Sequence, residues 1–170
     1  QNNFVEPFLE LDNEPGIYTA VRYSYKRQLS LQAFFYDNRT NDLTVKHGQY
    51  GWHTQFTQLS AQLKLAKRST LLTQYLRGKT TMAADTVDND FDTFYVMLVK
   101  DHGNHRIAAR YEKFEVIDKD FTAMDANQES GDSQTISYSY LWRDNWKFSI
   151  EATHIDSDRR ARMYFGEARS

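Results

Sequence analysis

The chain has no cysteine and carries only seven glycines and two prolines in 170 residues. The missing cysteine excludes disulfide scaffolds, thiolate zinc sites and a cysteine nucleophile. So little glycine and proline excludes a collagen-like or linker-like chain. Neither charge sign dominates. Lys plus Arg number 21 against 23 for Asp plus Glu, a net of -2, which argues against general nucleic-acid binding. Long apolar runs are also missing. The longest, Tyr95-Val96-Met97-Leu98-Val99, is far short of the roughly 20 residues a membrane helix needs. No charged start leads into an apolar signal segment, and the first residue is Gln1. We therefore read a mature or excised segment forming one domain, or one barrel segment, over 1–170.

What the chain does have is aromatic: eleven Phe, eleven Tyr and three Trp, set in a sequence of mean hydropathy -0.74. Apolar material is present but dispersed. That composition leaves room for a transmembrane β-barrel, whose strands alternate and never build a long apolar run.

The dominant pattern is a period of two, the strand period. Ile17, Thr19, Val21, Tyr23 and Tyr25 alternate with Tyr18, Ala20, Arg22 and Ser24; after Lys26-Arg27-Gln28 the pattern resumes from Leu29 to Tyr36. Residues 51–65 and Thr70 to Arg77 form a second pair, Phe91 to Lys100 and Ile107 to Glu112 a third, and Thr135 to Trp142 with Trp146 to Thr153 a fourth. The runs are rich in aromatic and β-branched residues, which favours strand over helix. The expected fold is all-β: an antiparallel up-and-down meander of about eight strands in four hairpins, forming part or all of a transmembrane β-barrel. Two details are expected within it. The apolar phase shifts near Thr57, which reads as a bulge, and Leu71-Leu72 leaves the face of the Thr70 run ambiguous.

Connections inside hairpins are three or four residues, whereas Asp37 to Tyr50, Lys79 to Asp90 and Asp118 to Ser133 read as long polar loops. Short turns at one end and long loops at the other is the asymmetry of outer-membrane barrels. Strands of 8 to 10 residues would match the roughly 9 to 11 that a tilted strand needs to cross a bilayer. On this reading Arg22, Arg110, Glu112, Lys147 and Glu151, all mid-strand on the polar face, line a wet lumen. Tyr25, Trp142 and Trp146 flank short turns on the apolar face and form an aromatic girdle.

Chemical motifs are sparse. The sequence has no phosphate-binding glycine loop, nucleophile elbow or metalloprotease helix. His102 and His105 bracket a turn, where solvation is expected over metal binding. Asp85, Asp88, Asp90 and Asp92 read as a solvated acidic loop and not as a calcium loop, whose invariant glycine is missing. Glu112 and Glu151 would form a glycosidase-type pair only if their carboxyls stood close together. No catalytic residue, metal or cofactor is assigned, and an enzyme is not expected.

Several segments resemble those of an outer-membrane porin family of Gram-negative bacteria. They are Pro7-Phe8-Leu9-Glu10-Leu11-Asp12 with Pro15-Gly16, Phe35-Tyr36-Asp37-Asn38-Arg39, Gly48-Gln49-Tyr50-Gly51-Trp52-His53-Thr54, Ile107-Ala108-Ala109-Arg110-Tyr111 and His154-Ile155-Asp156-Ser157-Asp158-Arg159. The departure is the end, Glu167-Ala168-Arg169-Ser170, where such chains close on a strand with a final aromatic residue. The resemblance implies a fragment of an outer-membrane barrel that passes small polar solutes. Its partners would be membrane lipid and those solutes, with assembly into a homo-oligomer left open. The alternative is a soluble up-and-down barrel that binds a small ligand in its interior. The two differ in which face is enclosed, and alternation alone does not give its sense.

Overall fold

The computed structural model describes residues 11–161 except 67, 85, 121, 123–125 and 144. Ten strands form: β1 Ile17–Tyr25, β2 Leu29–Asp37, β3 Val45–Lys46, β4 Gln49–Tyr50, β5 Trp52–Leu65, β6 Ser69–Met82, β7 Val87–His102, β8 His105–Asp118, β9 Glu129–Leu141 and β10 Lys147–Arg159. Eight of them make one antiparallel meander, β1-β2-β5-β6-β7-β8-β9-β10, and β3 and β4 form a separate two-stranded sheet. The four expected hairpins are all present, including β9–β10, where Ile150 lies opposite Tyr138 and Ala152 opposite Ile136.

The sheet is open. β1 and β10 are its edges and do not pair with each other, so these eight strands do not form a whole closed barrel.

Several expectations need correction. The stretch from Lys79 to Asp90 is not a long loop. β6 and β7 continue through it, with Lys79 opposite Asp90, and only residues 83–86 connect them. These strands carry charge on the face of Thr57 and Leu59, so polarity there does not mark a loop. The connection after β8 is residues 119–128, shorter than expected, since β8 and β9 also extend. The connection after β2 is long and contains the β3–β4 hairpin. It is tied down where the Ala83 amide donates to the Asp42 carbonyl at 2.9 Å. The long strands run 13 to 16 residues, not 8 to 10.

No bulge occurs near Thr57. β5 holds one register against β6 along its whole length, from Trp52 opposite Met82 to Leu65 opposite Ser69, and one register against β2 from Gln55 to Leu63. What changes at Thr57 is the face that carries apolar residues. Leu59 and Leu63 point to one side, Trp52 and Phe56 to the other.

Two glycines make room for the aromatic rings paired with them, Phe91 and Phe114. A Cβ on Gly78 would stand 2.5 Å from Phe91 Cζ and 2.5 Å from the Gln55 carbonyl oxygen. One on Gly131 would meet Phe114 Cζ at 2.9 Å and also strike the Asp156 carbonyl oxygen. The rings cover backbone that a strand glycine otherwise leaves bare.

Candidate functional site

Antiparallel pairing puts directly opposed residues on one face. The face of Ile17, Val21 and Tyr25 continues through Leu31, Leu59, Tyr75, Leu98, Tyr111, Ile136 and Ile150. The face of Arg22 continues through Gln32, Ser60, Gln74, Tyr95 and Glu112. Leu71 belongs to the first face and Leu72 to the second.

Burial gives the sense of the alternation. Along β8, Ile107, Ala109, Tyr111, Lys113, Glu115 and Ile117 are exposed, whereas Ala108, Arg110, Glu112, Phe114, Val116 and Asp118 are half-buried. The division follows position and not residue type, since Ala108 and Ala109 fall on opposite sides of it. In β9, Gln134, Ile136 and Tyr138 are exposed while Ser133 and Thr135 are buried. Side chains crowd inside a curve and splay outside it, so the sheet curves toward the Arg22 face. The apolar set is convex, with Val21 and Ile150 each 70% exposed.

Each face changes character along the strands. On the convex side the half nearest the short turns is apolar, and the half nearest the loops is charged. Phe35, Tyr75, Phe94 and Tyr111 close the apolar band toward the loops. Tyr25, Tyr140 and Phe148 close it toward the turns, joined by Trp142, whose ring centroid lies 6.1 Å from that of Phe148. Leucine, isoleucine, valine and alanine fill most of the space between, with Tyr23, Thr73 and Tyr138 among them, and Ser69 and Lys100 lie on its turn side. Beyond the upper aromatics stand Arg77, Asp92, Lys113 and Asp132. On the concave side the order reverses. Mostly polar residues lie near the turns, with Leu72, Met97, Val99 and Ala108 among them, and an aromatic cluster lies near the loops, with Phe34–Phe56 and Tyr36–Phe56 centroids 5.8 and 5.1 Å apart.

The band runs obliquely across the strands. Its loop-side border is Phe35 on β2 and Ala152 on β10. The ladder row through Ala152, however, passes Ile136, Ala109, Leu98, Leu71 and Leu63 and meets β2 at Leu29. The border therefore drops six residues relative to the ladder, from Phe35 to Leu29. At about 3.3 Å per residue and 4.8 Å per strand, six strand steps give a slant of about 35°. The short turns drift the same way. β5 runs two residues past Leu63, the partner of Leu29; β7 runs two past Lys100, the partner of Ser69; β9 runs one past Tyr140, the partner of His105. That stagger corresponds to a slant of about 30°.

Arg22, Arg110, Glu112, Lys147 and Glu151 share the concave face. They do not converge on one point. The Arg22 guanidinium donates to Gln32 Oε1 at 2.6 and 3.0 Å. Arg110 Nη2 lies 3.3 Å from Glu112 Oε2, and Thr93 Oγ1 donates to Glu112 Oε1 at 3.2 Å. The Arg110 guanidinium also sits 6.0 Å from the Tyr95 ring centroid. Lys147 and Glu151 are exposed on the edge strand. Glu112 and Glu151 stand two strands and four residues apart, since their β9 partners are Ser133 and Ser137. That is roughly 16 Å, too far for a glycosidase carboxylate pair at about 5 to 9.5 Å.

The acidic cluster is not a loop. Asp88, Asp90 and Asp92 alternate along the convex side of β7; Lys79 Nζ lies 3.1 Å from Asp88, and Lys119 Nζ 2.5 Å from Asp90. Asp85 lies outside the described residues. His102 and His105 face each other across the β7–β8 turn, and His105 Nδ1 lies 2.7 Å from the Tyr138 hydroxyl. Among the described residues no three His, Asp or Glu side chains are grouped to hold a metal ion. In the loop after β8, burial pushes the Asp120 carboxyl up. Hydrogen bonds from the Thr122 and Asp88 amides, at 2.9 and 3.1 Å, outweigh that and hold it below its ordinary value.

Sequence reasoning missed the aromatic cluster of the concave loop half. Its signal was the exchange of apolar parity within β5. Comparison with protein-family models and with curated proteins finds no match, so the chain is assigned to no family.

Proposed function

We propose that this sheet is wall of a porin-like β-barrel in the bacterial outer membrane, passing small polar solutes along its concave side. The observation that carries this reading is the oblique apolar band. A soluble sheet buries its apolar face against a second layer, and such a patch has no reason to slant with the turns. A bilayer is a planar slab. Cut across tilted strands, it makes the band border and the turn line drop together, near the 35–45° of membrane barrels. Aromatic residues bound the band on both sides, as at membrane–water interfaces. Val87 is the one large apolar side chain buried among the described residues, so covering the convex face is left to something other than this sheet. Strands of 13 to 16 residues exceed the roughly 9 to 11 a crossing needs. The surplus lies at the loop end, where the convex face turns charged.

The concave residues Arg22, Arg110, Glu112, Lys147 and Glu151 then face water in the lumen. Three cations and two anions interspersed cancel beyond a Debye length of about 8 Å, so selectivity is weak and leans to anions. The edges β1 and β10 are where the wall would close, on other strands or on a second copy. The test is ion selectivity in planar bilayers, comparing the parent with Arg22→Gln, Arg110→Gln and Lys147→Gln combined. The preference should move toward cations. Conductance with an unchanged preference would overturn the lumen assignment. A monomer that stays dissolved without detergent would instead favour the soluble ligand-binding barrel, with the apolar set turned inside.

A further inference from the structure

We propose that three of the four short turns, β1–β2, β5–β6 and β9–β10, form a basic rim that binds the anionic headgroups of a phospholipid leaflet. This rests on the membrane-wall reading and adds the lipid chemistry met at its turn end. The meander places all four turns at one end of the sheet. Lys26 and Arg27 form the β1–β2 turn, Arg68 lies in the β5–β6 turn and Arg143 in the β9–β10 turn; all four are exposed. Asp101, the neighbouring anion, is engaged by Arg106 at 2.6 Å and also feels the charge of Arg68. Asp144, which follows Arg143, lies outside the described residues.

Backbone conformation is the second, independent observation. Lys26, Arg27, Arg68 and Arg143 have φ of 45°, 54°, 60° and 68°. Positive φ is the left-handed region, disfavoured by roughly 1 to 2 kcal/mol for residues with a Cβ. Lys26 and Arg27 occupy the centre of a turn closed by Gln28 N–H donating to the Tyr25 carbonyl at 2.9 Å. Positive φ at both central positions is the type I′ geometry, which strongly prefers Asn-Gly. Three of the four turns thus place a long cation where glycine or asparagine would relax the backbone. The same conformation recurs at Ala83 and Ala84 in the β6–β7 connection at the other end, so what sets the turn end apart is that these positions carry long basic side chains. The cations also sit beside girdle aromatics: Lys26 Nζ is 5.1 Å from the Tyr25 ring centroid, and Arg143 Cζ is 5.0 Å from that of Trp142. An aromatic ring at the headgroup level with a cation above it suits an anionic lipid surface.

The test replaces Lys26→Asn and Arg27→Gly together, which relaxes the turn while removing two charges. A second variant, Lys26→Arg with Arg27→Lys, keeps the charge. Partition into phosphatidylcholine vesicles is measured with and without added phosphatidylglycerol, at low and high salt. The parent should gain on phosphatidylglycerol, and salt should erase the gain. Each headgroup-facing cation supplies roughly fivefold, so the Asn-Gly variant should lose about twenty-five-fold of that gain while entering neutral vesicles at least as well. The Arg-Lys variant should keep it. An Asn-Gly variant that retains the full gain overturns the rim. A parent that fails to enter neutral vesicles overturns the membrane-wall reading itself, a result read on phosphatidylcholine alone.

Discussion

Replacing Ile150 by Arg separates a lipid-covered convex face from a wet one. Ile150 lies in the middle of the β10 band, between Phe148 and Ala152 and opposite Tyr138, and is 70% exposed. Fully burying an isoleucine side chain is worth about 1.5 to 3 kcal/mol. Covering the exposed 70% with lipid therefore contributes about 1 to 2 kcal/mol. An Arg near the bilayer midplane costs about 2 to 4 kcal/mol. The sum is about 3 to 6 kcal/mol of lost stability, a large part of what a domain has. In water the same exchange, at an exposed site with no hydrogen-bond partner to lose, falls within about 0.5 kcal/mol. Ser149→Arg is the internal control, since Ser149 is one residue away on the concave side. The assay is urea unfolding in phosphatidylcholine vesicles, followed by the emission of Trp52, Trp142 and Trp146. Ile150→Arg should move the midpoint far down, and Ser149→Arg should leave it nearly in place. Equal midpoints for Ile150→Arg and the parent would refute a lipid-facing convex side.

Gly78→Ala should destabilise by about 1 to 3 kcal/mol, because the added methyl meets the fixed Gln55 carbonyl as well as a ring that can shift; a calorimetric or denaturant midpoint measures it. The Ser139 and Ser149 hydroxyl oxygens lie 2.9 Å apart across the β9–β10 ladder. In a chain that has no cysteine of its own, Ser139→Cys with Ser149→Cys should oxidise readily to a disulfide. Ser139→Cys with Ile150→Cys should not, since those side chains leave opposite faces, and a non-reducing gel separates the two. The Asp120 carboxyl has its folded pKa below the unfolded value near 3.9. Its anchoring of the loop after β8 is therefore present above about pH 4 and lost as pH falls through the folded pKa. Amide exchange at Asp88 and Thr122 should accelerate below that range and not above it.

The strands were legible because period-two alternation survives any tertiary arrangement that covers one face, and Ile136 to Ala152 shows it without a break. Strand ends were not. Lys79, Asp88, Asp90 and Asp92 look like loop residues when charge is taken to mean solvent. They are ladder residues on the convex side beyond the apolar band. The parity change at Thr57 was visible, but one sequence does not distinguish an inserted residue from a change of surroundings; the unbroken register from Trp52 to Leu65 does. The common face of Arg22, Arg110, Glu112, Lys147 and Glu151 followed from parity within each strand. Which side is concave shows only in the burial pattern, and the fit of Phe91 against Gly78 and of Phe114 against Gly131 shows only once the strands are paired.

Among the described residues, each long strand has its extensive contacts with the strands beside it in the ladder, and no two strands apart in the ladder make extensive contact. Energetically the molecule is a linear array, like a repeat protein in which stability is a sum of units and nearest-neighbour couplings. Such an array frays from its ends, so β1 and β10 should open first and the β6–β7 centre last. It also has low cooperativity, since losing a terminal hairpin removes only one coupling. Joining the two ends would change the statistics: in a ring every unit has two neighbours, and opening any one breaks two couplings at once. All-or-none unfolding would then arise from closure and not from a core.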